Sequence, residues 1–272
     1  MVQKNILVSI LINNHNNENY IKKSIESCLK QTYKNLEIIV YDDKSSDNSI
    51  KIIKNIKNIK IIKIFNKKKI SKSGPLNQLE AIYKSFSKSK GKIIFLLDGD
   101  DFFLQKKVEV IVSYFNKNKN LKFIQDNPIY YFPKKNIKIK KKISIKRFIF
   151  HTWPYFNPTS TMVFKRDFLH KILRELYFSK KIFKRMFFDA RAFIYIYFFE
   201  KKYLTINQYL TLYNQNKEGD TIQKYSSKNS EWWKRRYEYH QFVKFLFERK
   251  RKKHYKLLDY FLSFFMNLFF NK

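Results

Sequence analysis

The stretch Gly91-Lys92-Ile93-Ile94-Phe95-Leu96-Leu97-Asp98-Gly99-Asp100-Asp101 runs from a turn-forming glycine through five apolar residues into three carboxylates. An unbroken apolar run of that length suits a strand covered on both faces, as in a parallel sheet. Carboxylates this close repel one another and stay ionised together only beside a cation or strong donors. With Gly99 allowing a tight turn, Asp98, Asp100 and Asp101 therefore predict a hard divalent ion, Mn2+ or Mg2+. Its remaining positions would be free for diphosphate oxygens. A solvated acidic turn capping the next helix is the plainer alternative.

The same alternation extends toward the N-terminus. Residues 6–12, 36–41 and 60–65 read as strands. Residues 20–30 set Ile21, Ile25, Cys28 and Leu29 on one helical face. Asp47 or Ser46 can cap a helix carrying Ile50, Ile53 and Ile56, and Pro75 suits the first turn of a helix reaching about residue 87. A further amphipathic helix is expected over residues 105–116. Repeated strand–helix–strand units predict an α/β fold, a Rossmann-like, mostly parallel sheet flanked by helices. Ligands in such sheets bind beyond the carboxyl ends of the strands. That rule aligns residues 13–17, 42–46 and 98–101 on one rim.

From residue 121 the pattern loosens. Residues 134–146 form a basic, Ile-alternating stretch, an exposed hairpin or a loop. A strand is expected over 160–165, a helix capped by Asp167 over 167–176, an aromatic helix over 185–200 and extended chain over 203–214. We expect a main domain over 1–225, with a nucleotide-binding half (1–120) and an acceptor half (121–225). Residues 226–272 form a basic, aromatic, helical tail. Cations at 234–236 and 248–253 beside the apolar segment 257–270 suit a membrane interface drawn by anionic lipid. A helix packed on the domain or a dimer contact is the competing reading.

The bulk numbers bound the class. With 44% hydrophobic and 18% aromatic residues among 272, the chain can bury a full core. A net charge of +35 implies anionic partners, although the abundance of Lys, Asn and Ile is also what an AT-rich genome produces. Cys28 is alone, so neither an internal disulfide nor a cysteine-rich zinc site is expected. The N-terminus enters a strand pattern without a signal-peptide layout, and no apolar run is long enough to span a bilayer. A cytoplasmic catalytic part, peripheral at the inner face of the membrane, is the expectation.

Several segments together resemble family 2 glycosyltransferases with the GT-A fold. These are Val8-Ser9-Ile10-Leu11-Ile12-Asn13-Asn14-His15-Asn16, Ser27-Cys28-Leu29-Lys30-Gln31-Thr32-Tyr33, and Glu37-Ile38-Ile39-Val40-Tyr41-Asp42-Asp43-Lys44-Ser45-Ser46-Asp47. The strand running into Asp98 is similar to that family's strand-to-metal segment. The resemblance covers residues 2–115, weakens over 150–215 and is absent beyond. It implies an inverting transferase moving a sugar from a nucleotide donor to a hydroxyl of a cell-envelope glycan or lipid-linked acceptor.

By position, the resemblance implies that Asp43 accepts from the imide N–H of a uracil ring, favouring a UDP-sugar, while Asp42 supports the loop. Asn13 and His15 would line the base pocket, where the family more often has Pro or Thr and then Tyr. Lys72 stands where a cation approaches the nucleotide, with further lysines at 67–69. Asp100 is expected to bind metal and Asp98 to add a donor-side contact. Asp189, in Phe188-Asp189-Ala190-Arg191, matches the acidic residue that deprotonates the acceptor; a helix-start cap or an ion pair with Arg191 is the alternative. Ser160 and Thr161 resemble the acceptor-side strand, and Trp153 is a candidate sugar platform. A nucleic-acid-binding protein would also explain the charge, but lysines spread over every segment and no recognisable module argue against it. A silent nucleotide- or glycan-binding relative is the third reading.

Overall fold

Nine strands form one sheet in the computed structural model, which describes residues 6–140, 156–179, 182–200, 203–215, 230–253 and 258–270. They are β1 (Val8–Asn14), β2 (Leu36–Asp42), β3 (Ile61–Phe65), β4 (Ile93–Asp98), β5 (Phe102–Phe103), β6 (Phe123–Phe132), β7 (Ile137–Lys140), β8 (Met162–Lys165) and β9 (Tyr203–Asn214). The order is β3-β2-β1-β4-β8-β6-β9-β5, with β7 on β6. β1 to β4 are parallel, joined by helices α1 (Ile21–Leu29), α2 (Ser49–Asn55) and α3 (Gly74–Lys88). β8 then runs antiparallel to both β4 and β6, so the doubly wound pattern ends where the acidic turn begins.

Alternation along the strands sorts the core into two layers. Leu11, Ile39, Ile94 and Leu96 face one side, under α3, α5 (Arg166–Phe178) and α6 (Phe188–Tyr195). Ile10, Ile12, Val40, Phe95 and Leu97 face the other, under α1 and α4 (Lys107–Lys117). Among the described residues two further helices follow: α7 (Ser230–Arg249) and α8 (Leu258–Phe269). Phe242, Val243 and Leu246 of α7 are fully buried in the same layer as Leu11, so α7 belongs to the main body rather than to a tail.

The acceptor half departs from the sequence reading at three places. Residues 159–161 wind into a 3-10 turn, and the strand starts only at Met162. Asp167 lies in the first turn of α5 without a side-chain capping bond, because Lys165 occupies the cap. The aromatic helix over 185–200 is shorter, with α6 giving way to a π-helical turn at Ile196–Glu200. Residues 137–140 do form an exposed hairpin arm against β6. Trp153 and residues 141–146 lie outside the described residues.

Candidate active site

Strand register brings the first polar groups together. Asn14 pairs with Asp42 across β1 and β2, and Asn13 pairs with Asp98 across β1 and β4. The carboxyl ends of three parallel strands thus meet at one rim, where peptide N–H groups and loops converge. The chain turns sharply at Gly99, whose N–H donates to the Asn13 carbonyl at 2.8 Å. A Cβ at residue 99 would lie 2.5 Å from Asn14 Oδ1 and 3.1 Å from the Asn13 carbonyl. Glycine is therefore what lets the acidic turn close onto the end of β1.

The cleft on this rim has a volume of about 860 Å3, and Asn13, His15, Asp43, Lys72, Asp98 and Asp100 all line it. Lys69 Nζ donates to His15 Nε2 at 2.7 Å. Asp43 is held by its N–H on the Asn14 carbonyl and by Asn66 Nδ2, which donates to Asp43 Oδ1 at 2.7 Å. Asp42, grouped with the nucleotide-binding residues as the support of their loop, makes loop contacts and does not line the cleft. It is fully buried, and its carboxylate accepts from Asn14 Nδ2 at 2.8 Å and from Ser45 N and Oγ at 2.9 and 2.7 Å. Its oxygens are spent on the loop.

The three carboxylates of the acidic turn divide in the same way. Asp98 and Asp100 open into the cleft. Burial and then the charge of Asp100 push the Asp98 carboxyl up to about 7, and burial pushes Asp100 up to about 6. Asp101, expected as a third metal ligand, is turned away. Its oxygens accept from Ser160 Oγ at 2.5 Å and from the Asn214 N–H at 2.8 Å. Ser160 is in turn fully buried and accepts from the Asp98 N–H at 3.0 Å, while Thr161 Oγ1 donates to the Pro158 carbonyl at 2.7 Å. Neither hydroxyl can meet an acceptor; Ser160 instead ties the 3-10 turn to the acidic turn.

Beneath them Lys107 is fully buried. Its Nζ donates to Asp126 Oδ1 at 2.7 Å, to the Ser160 carbonyl at 2.8 Å and to Thr211 Oγ1 at 2.5 Å. A buried ion pair is tolerable only when such donors satisfy both partners. Here the pair also locks the segment that holds Asp98 and Asp101.

Asp189 lies in the first turn of α6, half-buried, its Oδ1 accepting from the Ala190 N–H at 2.7 Å. Burial raises its carboxyl to about 6. The side chain is not on the cleft wall itself, although its charge reaches both Asp98 and Tyr213. The suggested ion pair with Arg191 is absent: Arg191 is fully buried and donates to the carbonyls of Met186 and Phe183.

Gln78 of α3 was not singled out from sequence. Its Nε2 donates to Asp98 Oδ1 at 3.2 Å, and its Oε1 accepts from the Phe188 N–H at 3.0 Å. One side chain thus couples the acidic turn to the helix carrying Asp189. Tyr213 and Asn214, at the end of β9, were missed too. Tyr213 lines the cleft, and burial with the surrounding carboxylates drives its phenol pKa upward. The side-chain amides of Asn13 and Asn214 are buried at the cleft without hydrogen-bond partners among the described residues. Orphaned polar groups of this kind are costly unless a ligand or water completes them.

The protein therefore offers a divalent cation two carboxylates, Asp98 and Asp100, and no cluster of three acidic, histidine or cysteine ligands exists among the described residues. That fits a magnesium-type ion bound through one or two carboxylates with substrate phosphates and water completing its shell. A second cavity of about 540 Å3 lies between α7, α8 and residues 182–185. Its lining charges Arg185, Lys234, Glu238, Lys244 and Glu248 are all engaged in ion pairs, so it offers no comparable chemistry.

Comparison with known proteins bears on the family and the fold. The family model for Glycosyl transferase family 2 matches residues 9–187. Among curated relatives, the Escherichia coli UDP-Glc:alpha-D-GlcNAc-diphosphoundecaprenol beta-1,3-glucosyltransferase WfgD is 35% identical over 121 residues, 44% of this chain and 45% of its own length. WfaP of the same species, with the same activity in its name, is 37% identical over 113 residues, 42% of this chain and 43% of its own length. The matched part is thus less than half the length of these relatives. In overall shape the chain is similar to Staphylococcus aureus TarS 1–349 in complex with UDP-GlcNAc. The TM-score is 0.61 at 14% identity, covering 87% of this chain and 66% of that one. The mannosyltransferase PcManGT from Pyrobaculum calidifontis, in complex with GDP-Man and Mn2+, gives 0.59 at 10% identity, covering 92% and 65%. These structural likenesses establish the GT-A fold.

Proposed function

The chain belongs to glycosyl transferase family 2, and from that membership we propose that it transfers a sugar from a UDP-sugar to a hydroxyl of a lipid-linked or cell-envelope glycan. The observation that carries the reading is a cleft walled by three carboxylates, Asp43, Asp98 and Asp100, with Asp189 near enough for its charge to act on Asp98. Asp43 accepts a hydrogen bond from the uracil imide N–H. The unpartnered amides of Asn13 and Asn214 bind the donor. Lys72 and Lys69, which also line the cleft, neutralise phosphate charge.

Asp98 and Asp100 would hold Mn2+ or Mg2+, which when bound offsets the charge building on the departing diphosphate. Asp189 takes the proton from the acceptor hydroxyl as that oxygen attacks the anomeric carbon from the face opposite the leaving group, inverting the configuration. A carboxyl raised to about 6 is still ionised at neutral pH yet basic enough to assist, which suits a general base. Gln78 keeps Asp98 and the start of α6 in register, so the base and the diphosphate end stay at a fixed separation.

The relatives WfgD and WfaP carry in their names a glucosyl transfer from UDP-Glc to a diphospholipid-linked GlcNAc. The first assay is therefore UDP release from UDP-Glc with that acceptor and Mn2+. Acceptor-dependent release in the wild type, lost in Asp189→Asn with donor binding retained, supports the reading. Acceptor-dependent release that survives in Asp189→Asn would contradict the base assignment. Absence of turnover with any UDP-sugar across a panel of envelope acceptors would favour a silent binding relative.

A further inference from the structure

Surface helices normally bury their apolar face, and α8 does the reverse. Its polar residues Asp259 and Ser263 are 3% and 0% exposed, whereas Leu258, Phe261, Leu262, Phe265, Leu268 and Phe269 are between 45% and 71% exposed. Those six positions follow helical spacing and form one continuous apolar stripe. The helix cannot roll to hide it. Arg236 of α7 donates to Asp259 through Nε and Nη2 at 2.8 and 2.7 Å, and His240 Nε2 lies 3.2 Å from the same carboxylate. Turning the stripe inward would strip the buried Asp259 carboxylate of these partners.

We propose that α8 is a docking helix that lies in the plane of an anionic phospholipid bilayer, with this stripe in the acyl boundary. A span is excluded by length, since twelve helical residues reach about 18 Å against a hydrocarbon core of about 30 Å. No helix among the described residues is long and apolar enough to cross a membrane. Charge selects the occupant. Arg251, Lys252 and Lys253 are exposed just before the helix on a chain of net charge +35. A basic segment beside an aromatic stripe is drawn to anionic head groups. The same charges would repel a second copy brought face to face across the stripe.

Docking has a geometric consequence for the cleft. α8 packs on α7, whose Arg235 lies near enough to Asp189 to lower its proton affinity, and whose Phe242 meets Phe183 at 5.2 Å. The surface-bound helix and the acceptor end of the cleft are thus connected by one rigid, core-packed helix. The inference does not rest on the identity of donor or acceptor, and its test reads vesicle binding rather than transfer.

The experiment is co-sedimentation of the full chain with vesicles of phosphatidylcholine alone, or with an equal part of phosphatidylglycerol. We expect binding to the anionic vesicles at least about tenfold tighter than to the neutral ones. The double variant Phe261→Ser, Phe265→Ser, altered only at exposed positions, should lose that binding by at least about tenfold while melting at the wild-type temperature. Equal, weak sedimentation of the wild type with both vesicles would overturn the proposal, as would undiminished binding by the variant. Light scattering that finds a dimer in the wild type and a monomer in the variant would assign the stripe to a second copy and also overturn it.

Discussion

Asp189 owes its raised proton affinity to burial at the start of α6, only partly offset by the Ala190 N–H and the cation of Arg235. A general base works ionised, so turnover should rise with pH through about 6 and level off above it. Asp189→Asn should remove that limb and cost roughly 100- to 10,000-fold in kcat. Asp98 and Asp100 give a second pH effect, on stability rather than turnover. Their folded-state pKa values, about 7 and about 6, lie above those of free carboxyls, so the folded protein binds more protons than the unfolded chain in between. Without cation, stability should therefore fall as pH rises through that window, and Mn2+ should restore it. A thermal shift by Mn2+ that does not grow over the same window would contradict this. Lys44 is exposed with φ 55, a left-handed conformation awkward for a residue with a Cβ. Lys44→Gly should raise stability by about 0.5–1 kcal/mol in denaturant unfolding. At this scale the sequence disclosed the residues carried on local motifs, Asp43, Asp98 and Asp100. It hid Gln78, Tyr213 and Asn214, because nothing local marks a glutamine in α3 or the end of β9 as facing Asp98. It misread Ser160 and Asp101, whose polar ends turn inward to each other.

Between elements, the acidic turn depends on what lies beneath it. Lys107 of α4, Asp126 of β6, Thr211 of β9 and the 3-10 turn at Ser160 form one buried polar knot. Lys107→Met leaves Asp126 charged and unpaired in the core, and should cost about 3–5 kcal/mol. Adding Asp126→Leu should recover much of that stability, yet leave Ser160 and hence Asp98 loosely held. Donor binding should then remain weakened after stability returns; full recovery of both would remove the knot from any role in the site. The parallel strands were legible as elements because β1, β2 and β4 each carry consecutive apolar residues, Ile10–Ile12, Ile38–Tyr41 and Ile93–Leu97, a pattern that burial on both faces favours. In the acceptor half α5 and β9 were legible too, β9 over the same residues 203–214 read as extended chain, but β6 was not, β8 is only four residues long, and β6 meets β9 through an irregular register at Gln125–Pro128. Such pairings are set by distant partners, not by local periodicity.

For the whole molecule, the decisive fact is that α7 completes the core while α8 stays outside it. A chain ending after residue 253 should keep its fold and its donor binding and lose vesicle binding. One ending before residue 230 should fail to fold, because Phe242, Val243 and Leu246 would leave the layer that backs β1 and β4. Limited proteolysis and far-UV circular dichroism of the two truncations distinguish these outcomes. From composition, the C-terminal segment read as a single basic, aromatic tail. Only the packing separates a helix that supports Asp189 from one that presents Phe261 and Phe265 outward. Lysines of the +35 excess stand at both places: Lys69 and Lys72 line the cleft, and Lys252 and Lys253 flank the exposed apolar stripe.

The proposed function requires Asp98 and Asp100 to form a cation-dependent site for a nucleotide sugar. Thermal melting against a panel of nucleotide sugars, with and without Mn2+, tests it most directly. A UDP-sugar should raise the melting temperature of the wild type only when Mn2+ is present, and Asp100→Ala should abolish that metal-dependent part. Equal responses of wild type and Asp100→Ala would contradict the assignment.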